Sequence, residues 1–424
     1  MTGELVSASA EWRRYWPVVL ASSIGFSFMS FMTPAAGVFM DPLARAFGWD
    51  RTQLSSGLAA AALISIVLSP FIGALIDRSG VRRIALPGLV LTTASICAFA
   101  LASGSFVQWI VLWLVWGVFV LFVQSTLWST AVAATFTKGR GLALGITMSG
   151  TALAQVIAPP LSNWLITHFG WREAFVILGL GWGGVAFVLS VLFLRGKSAA
   201  ATPGDRRAQK PAPAPDVPGL TIAQAWRSVA LWKVAIATFL ILTATIAVVV
   251  HQFPILVEAG VSRESAAWLV SLSGIAGVAG KLITGTLVDR FHARWIGGLT
   301  LASTAIAWPL LMDGVATPAL VVVGMMISGY AAGTKMQLCS YLTARYAGLR
   351  HYGAIFGVMT SMIALASAIG PLSAGVAHDA FGSYSPLLLT GVSISIVSGL
   401  IVLSLGAYPD WTPAVSDDGE GAPE

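Results

Sequence analysis

The sequence predicts an all-α membrane protein, with twelve transmembrane helices arranged as two six-helix pseudo-symmetric halves. Three observations predict it. The 424-residue chain is 56% hydrophobic and 10% charged, with a mean hydropathy of +0.82, against about 25% charged residues in an ordinary soluble domain. Its apolar residues gather into runs that approach or exceed the roughly 20 residues a helix needs to cross hydrocarbon. A charged turn, GALIDRSGVRR at 73–83, returns as GTLVDRFHARW at 285–295, 212 residues later.

In chain order the runs fall at 17–40, 54–76, 84–103, 109–135, 142–166 and 174–194, then at 231–256, 266–288, 295–311, 318–341, 353–377 and 385–405. The first is long, lacks a small-residue cleavage signature and leads into eleven more, so it reads as an uncleaved anchor. Cys97 and Cys339 both fall within spans, so no disulfide framework is implied. Between the sixth and seventh runs lies a stretch rich in Ala, Pro and basic residues, flexible or extended by composition. The expected organisation is a six-helix half over 1–194, a linker over 195–230, a second six-helix half over 231–408 and a disordered tail over 409–424.

The net charge of +6 comes from 24 Lys and Arg against 18 Asp and Glu. With the N-terminus inside, eighteen of the cations fall in tails and inward loops, and only Arg45, Arg51, Arg172 and Arg263 fall outside. That asymmetry places both termini in the cytoplasm and makes the basic balance a topology signal rather than a nucleic-acid signal. The expected setting is a cell inner membrane, crossed many times by a monomer in contact with the lipid bilayer.

The repeat extends beyond the charged turn. At the same offset Pro42 pairs with Pro254, Arg51 with Arg263, Gly145 with Gly357, Pro159 with Pro371 and Gly170 with Gly382. Two six-span halves related by an axis along the membrane normal describe a secondary transporter that rocks about a midplane site. The turn itself, G-x-L-x-D-R-x-G-x-R-R, resembles the signature loop of the major facilitator superfamily, and the resemblance covers essentially the whole chain. Asp77 closes its span at a helix C-terminus, where a carboxylate is unfavourable, so it is expected to pair with Arg78, Arg82 or a neighbouring helix start as a conformational latch. Asp289 and Arg290 form the second, weaker copy, in which Phe291, His292 and Trp295 replace the first copy's Ser79, Gly80 and Arg83.

Ionisable groups inside the hydrocarbon zone are costly and point to function. Lys281 lies eight residues before Asp289, roughly 12 Å from that end of its helix, and Lys335 ten residues before Arg345, about 15 Å in. Snorkelling along the aliphatic stem is the bland alternative for both. No carboxylate stands mid-membrane. A cavity holding two ammonium groups and no fixed anion favours an anionic ligand. Their repeat mates are Ser69 and Val123, so the cations belong to the second half. The first half offers Gln124, Trp128 and Gln155. Lys281, Lys335, Gln124, Trp128 and Gln155 are the expected substrate contacts, with Lys335 acting through Gln124. His251, near the outer end of its span, reads equally as a hydrogen-bonded neutral imidazole and as a substrate or proton contact.

The stretch AGKLITGTLVDR resembles the eighth span of the monocarboxylate transporter and oxalate/formate exchanger branch. There an arginine four residues before the loop glycine binds the substrate carboxylate, and Lys281 holds that position. The branch arginine is often followed by proline, whereas Leu282 follows here, and an ammonium offers a single point of contact where a guanidinium offers a fork. The resemblance implies a small organic anion as cargo, with symport or antiport open and protons a candidate partner. A same-fold carrier of a drug-like, aromatic or vitamin-type compound is the alternative. The fifth-span segment AQVIAPPLSNW has the prolines of a proton-coupled exporter but not its glycines.

No enzyme is expected. Gly179-x-Gly181-x-x-Gly184 spells a dinucleotide fingerprint inside a span, where it serves close helix packing. AGVAGKL imitates a phosphate loop, but Leu282 stands where Ser or Thr is required. No His-Glu-x-x-His run or Gly-x-Ser-x-Gly elbow occurs. Neither a cofactor nor a metal is expected.

Overall fold

The computed structural model describes residues 8–136, 139–194, 219–348 and 350–409, and the side chains of residues 8, 10, 70, 74, 77, 141 and 289 also lie outside the described set. Most of the predicted linker and all but the first residue of the predicted tail therefore fall outside it. Helix dominates, because a backbone in lipid must satisfy its own hydrogen bonds. Among the described residues the one β feature is an isolated bridge between Gly219 and Gly348.

Among the described residues twelve long helical units, some of them broken, follow in order. The first, α1, is Ala8–Ser30 continued by Met32–Phe47. It breaks at Phe31 because Pro34, in the first turn of the second piece, has no N–H to give. Next come α2 (Arg51–Ser79), α3 (Val81–Ala98) and α4, which is Phe106–Val120 and Ser125–Ala133 joined by the 3-10 turn Leu121–Val123. α5 is Arg140–Met148 and Gly150–Phe169, and α6 is Trp171–Phe193. A short helix, Ile222–Arg227, leads into α7 (Val229–Glu258), α8 (Arg263–Arg290), α9 (Ala293–Ala307), α10 (Pro318–Ala347), α11 (Tyr352–Phe381) and α12 (Ser385–Leu403).

Among the described residues eleven helical segments are long and apolar enough to cross a membrane. The ninth predicted span is the exception. Its helix has 15 residues and ends at Ala307, where a 3-10 turn, Pro309–Leu311, takes over. Pro309 cannot donate to the ladder, so the α-helix stops there.

Short connections make successive helices antiparallel. The turns at Gly48–Asp50, Gly170, Ala259–Ser262 and Gly382–Tyr384 share one face, here the far face. The turns at Gly80, Phe291–His292 and Gly348 share the near face, where Tyr408 beyond α12 accepts from the Ala293 N–H at 2.8 Å.

The first half has a large core around Trp109, Trp113, Trp116, Phe99 and Phe175 and a small one about Val132 and Phe136, and the second half has a near-face core about Leu342 and Tyr346 and a far-face core about Trp308 and Tyr384. Val250 of α7 joins the first half's core, and Val38 of α1 joins the far-face core of the second. The halves thus interlock toward the far face. They meet along α2 with α11, α5 with α8 and α1 with α7.

Hydrogen bonds between the halves gather toward the same face. Asp41 at the end of α1 takes Arg51 and Arg263 on its two oxygens, each at 2.5 Å. Asp379 of α11 caps the start of α2, accepting from the backbone N–H of Arg51 at 3.0 Å and of Thr52 at 2.7 Å. These bonds lie on the far-face side of the interface between the halves, and the near-face side of that interface is the crevice.

Candidate functional site

Position around α8 follows from its glycines. Ser271 donates to the Val156 carbonyl of α5 at 2.5 Å, and Gly274 lies against the Gln155 side chain. Gly277 and Gly280 abut the α10 backbone at Gly329 and Tyr330, while Thr284 shares a 2.9 Å hydrogen bond with the Tyr330 hydroxyl. Ile283 stands 48% exposed on the side turned away from both neighbours, and Leu282 is 68% exposed.

Lys281 follows Gly274 by seven residues and Gly277 by four. At about 100° per residue its Cβ lies between the stripe that faces α5 and the stripe that faces α10. It is exposed, and no ion pair or hydrogen bond ties its ammonium group to another described residue. Two turns nearer the far face, α5 closes on α8 through Gln155, which is half-buried. Lys281 and Gln155 thus share one wall of the crevice, about 10 Å apart along the axis.

Lys335 sits elsewhere. Gly333 faces α8, and two residues of helix turn Lys335 about 200° away from it. Its side chain is 2% exposed, donates to Thr245 Oγ1 of α7 at 2.5 Å and lies 6.0 Å from the centre of the Trp308 ring. Thr245 spends its own hydrogen on the Ile241 carbonyl at 2.6 Å. The two ammonium groups expected to share a cavity are on opposite sides of α10, one on the crevice and one inside the second half. Gln124 does not link to Lys335: its Oε1 accepts from Ser69 at 3.0 Å, within the first half.

Trp128 is a core residue rather than a crevice residue. It is fully buried, its indole donates to the Val123 carbonyl at 2.7 Å, and its ring fills the space that Gly25 leaves on α1. His251 is also fully buried, on the seam between the halves. Its Nε2 lies 2.9 Å from Ser55 Oγ of α2 and 3.1 Å from the Pro371 carbonyl, and its Nδ1 lies 2.8 Å from the Tyr384 hydroxyl.

The acidic members of the expected latch lie outside the described side chains. Asp77 and Asp289 stand in the last turns of α2 and α8, with side chains outside the described set, and Arg78 and Arg290 are exposed. Arg82 reaches the Val191 carbonyl near the end of α6 at 3.1 Å, and its repeat mate Arg294 reaches the Leu405 carbonyl just beyond α12 at 3.1 Å. Both guanidinium groups satisfy carbonyls that a helix C-terminus leaves without partners. They tie α3 to α6 and α9 to α12 within each half.

The far-face cluster of Asp41, Arg51, Arg263 and Asp379 was not singled out as a site from the sequence. One signal pointed to it: Arg51 and Arg263 are repeat mates at the outer ends of their spans. Beside it His378 lies between Glu258 at 3.2 Å and Asp379 at 3.5 Å. Among the described residues no group of His, Cys, Asp and Glu is arranged to hold a metal ion.

Comparison with known proteins bears on this architecture. Monocarboxylate transporter 13 of Bos taurus is 23% identical over 390 residues, 91% of this chain and 88% of the relative. Monocarboxylate transporter 11 of Mus musculus is 24% identical over 402 residues, 92% and 87% of the two chains. Among solved structures, the inward open conformation of the xylose transporter XylE from E. coli superposes with a TM-score of 0.70 at 14% identity, over 95% of this chain and 97% of that one. The family model described as Major Facilitator Superfamily matches residues 20–260 and 241–420. Twelve helical units in two interlocked halves, a duplicated charged turn and these matches lead to one conclusion: the chain belongs to the major facilitator superfamily, with monocarboxylate transporters among its relatives.

Proposed function

We propose that this transporter carries a small organic anion, monocarboxylate-like, across an inner membrane by alternating access. The observation that carries the reading is Lys281: an exposed, unpaired ammonium on the stripe of α8 that faces the crevice. A fixed cation without a fixed counter-charge, flanked by apolar helices, is stabilised when the ligand supplies the anion. Gln155, two turns away on the same wall, is placed to donate to a second oxygen or to the body of the ligand. Relatives named monocarboxylate transporters support the cargo class. Lys335, His251, Gln124 and Trp128, the other residues expected to contact substrate, support the helices that carry the site instead.

The near face, toward which the crevice opens, is the cytoplasm in this reading. The cationic loops gather there, as positive-inside topology requires. Residues 1–194 and 231–408 move as the two rocking halves, joined through 195–230. The far-face contacts of Asp41 and Asp379 then close the outer gate, and the structure is the inward-facing state of the cycle.

A thermal-shift panel of lactate, benzoate, nicotinate and the cation tetraphenylphosphonium tests the reading on purified protein. At least one carboxylate is expected to raise Tm, and Lys281→Gln is expected to weaken that binding about tenfold to a hundredfold, the scale of a charge-assisted hydrogen bond. Stabilisation by the cation alone, or by carboxylates equally in Lys281→Gln, would remove the anion site.

A further inference from the structure

We propose that His251 is a proton-binding site that governs the far-face gate, which closes only around the neutral imidazole. The seam it occupies is built from four places in the chain. Ser55 comes from α2 in the first half, His251 from α7, the Pro371 carbonyl from α11 and Tyr384 from the turn before α12.

The tautomer follows from the partners. A carbonyl oxygen cannot donate, so the hydrogen sits on Nε2 and points at Pro371, with Ser55 Oγ also in range. Nδ1 then carries the lone pair and accepts from the Tyr384 phenol. Burial pushes that phenol up from its ordinary titration range, so it stays protonated and able to donate. In this state the imidazole hydrogen and the phenol hydrogen both have acceptors.

A second proton undoes the arrangement. Taken from hydronium on the far face, it binds the Nδ1 lone pair and turns it into a donor. The phenol hydrogen then has no acceptor among the described contacts. A full positive charge also appears on a side chain that is 0% exposed, where the nearby carboxylates are held by other groups.

The charged groups nearby are already committed. From α2, Arg51 stands one turn above Ser55 and pairs with Asp41 of α1, which also holds Arg263 of α8. From α11, Asp379 is spent on the start of α2, and His378 lies against Glu258 and Asp379. From the end of α7, Glu258 accepts from the Tyr384 backbone N–H at 3.1 Å. The imidazolium gains a counter-charge or hydration only if the halves separate. Protonation therefore favours an open far face, and closure requires the proton to leave.

The inference does not depend on what the crevice carries, and its test uses no cargo. Spin labels at Arg45→Cys and Glu264→Cys, both exposed on the far face and in opposite halves, report gate opening in phosphatidylcholine nanodiscs, with Cys97 and Cys339 replaced by Ala. Between about pH 8 and about pH 4, a window that reaches below the ordinary histidine range because burial disfavours the charged ring, the long-distance population is expected to grow in the otherwise unaltered protein. Two isosteres without a titrating proton, His251→Gln and His251→Asn, are expected to lose that response, and His378→Gln to keep it. A distance distribution that is the same at both pH values overturns the proposal. So does a pH response that survives in either His251 variant or disappears in His378→Gln alone.

Discussion

Lys281 and Lys335 show how little the residue type says about role. Both are lysines in membrane helices at similar depth, yet one ends on the crevice and the other on Thr245 inside the second half. Depth was legible from sequence because helical rise is fixed. Azimuth was not, because α10 is apolar nearly all round and its periodicity does not separate crevice from core. Lys335→Met should be tolerated better than Lys335→Ala: the first replaces a buried stem of similar length, and the second leaves a cavity worth about 2–5 kcal/mol when a large buried side chain is cut to Ala. Detergent-solubilised Tm checks the order. A second residue-scale expectation concerns His292, which stacks on Tyr408 with ring centres 3.9 Å apart. Partial burial, then Arg294 and Arg345, hold its imidazole below the usual value. A histidine lowered in the folded state contributes stability above its unfolded value and loses it as pH falls. Tm should therefore drop modestly from about pH 7 to about pH 5, and His292→Asn should flatten that slope.

Helix pairs set how closely the elements approach, and glycine placement decides which pairs are fixed. Gly329 and Gly333 of α10 meet the backbone of Ser273 and Gly277 on α8, so that interface has no room for a side chain. Gly333→Val should cost at least the 1–3 kcal/mol typical of overpacking and reduce the yield of folded protein. Gly145→Ala and Gly357→Ala, at positions with open space, should leave yield and Tm unchanged. The spans themselves were legible, since lipid forces each helix to satisfy its own backbone. The ninth was overextended because Pro309 ends the α-helix inside an apolar run whose composition gives no warning. The charged turn was legible as a duplicated device but not as to its partner. The contacts of Arg82 with α6 and Arg294 with α12 span 109 and 111 residues, and no periodicity reaches so far. Arg82→Gln and Arg294→Gln should each destabilise by about 0.3–1 kcal/mol, the scale of a cation at a helix C-terminus. The loss should be read in Tm and not in the balance between inward-facing and outward-facing states.

At the scale of the whole molecule, two halves interlocked on one face and parted on the other make a gate and a crevice from one rigid-body arrangement. The gate was the least legible part. Its bonds between the halves include Arg263 with Asp41 and Arg51 with Asp379, 222 and 328 residues apart in sequence, and use charges that each look like ordinary loop charges. Removing one arm, by Asp379→Asn, should weaken the cap on α2 and enlarge the far-face-open population, measured by the same inter-label distance. The proposed site at Lys281 rests on the rule that an ionisable group within the membrane is costly, a rule that Lys335 also satisfies while bonded to Thr245 inside the second half. The most direct measurement is uptake of radiolabelled lactate, benzoate and nicotinate into proteoliposomes by the unaltered chain, Lys281→Gln and Lys281→Arg, against empty vesicles. An anion site at Lys281 predicts uptake of at least one of the three by the unaltered chain, none by Lys281→Gln and a partial rate for Lys281→Arg. Uptake by Lys281→Gln at the unaltered rate would contradict it.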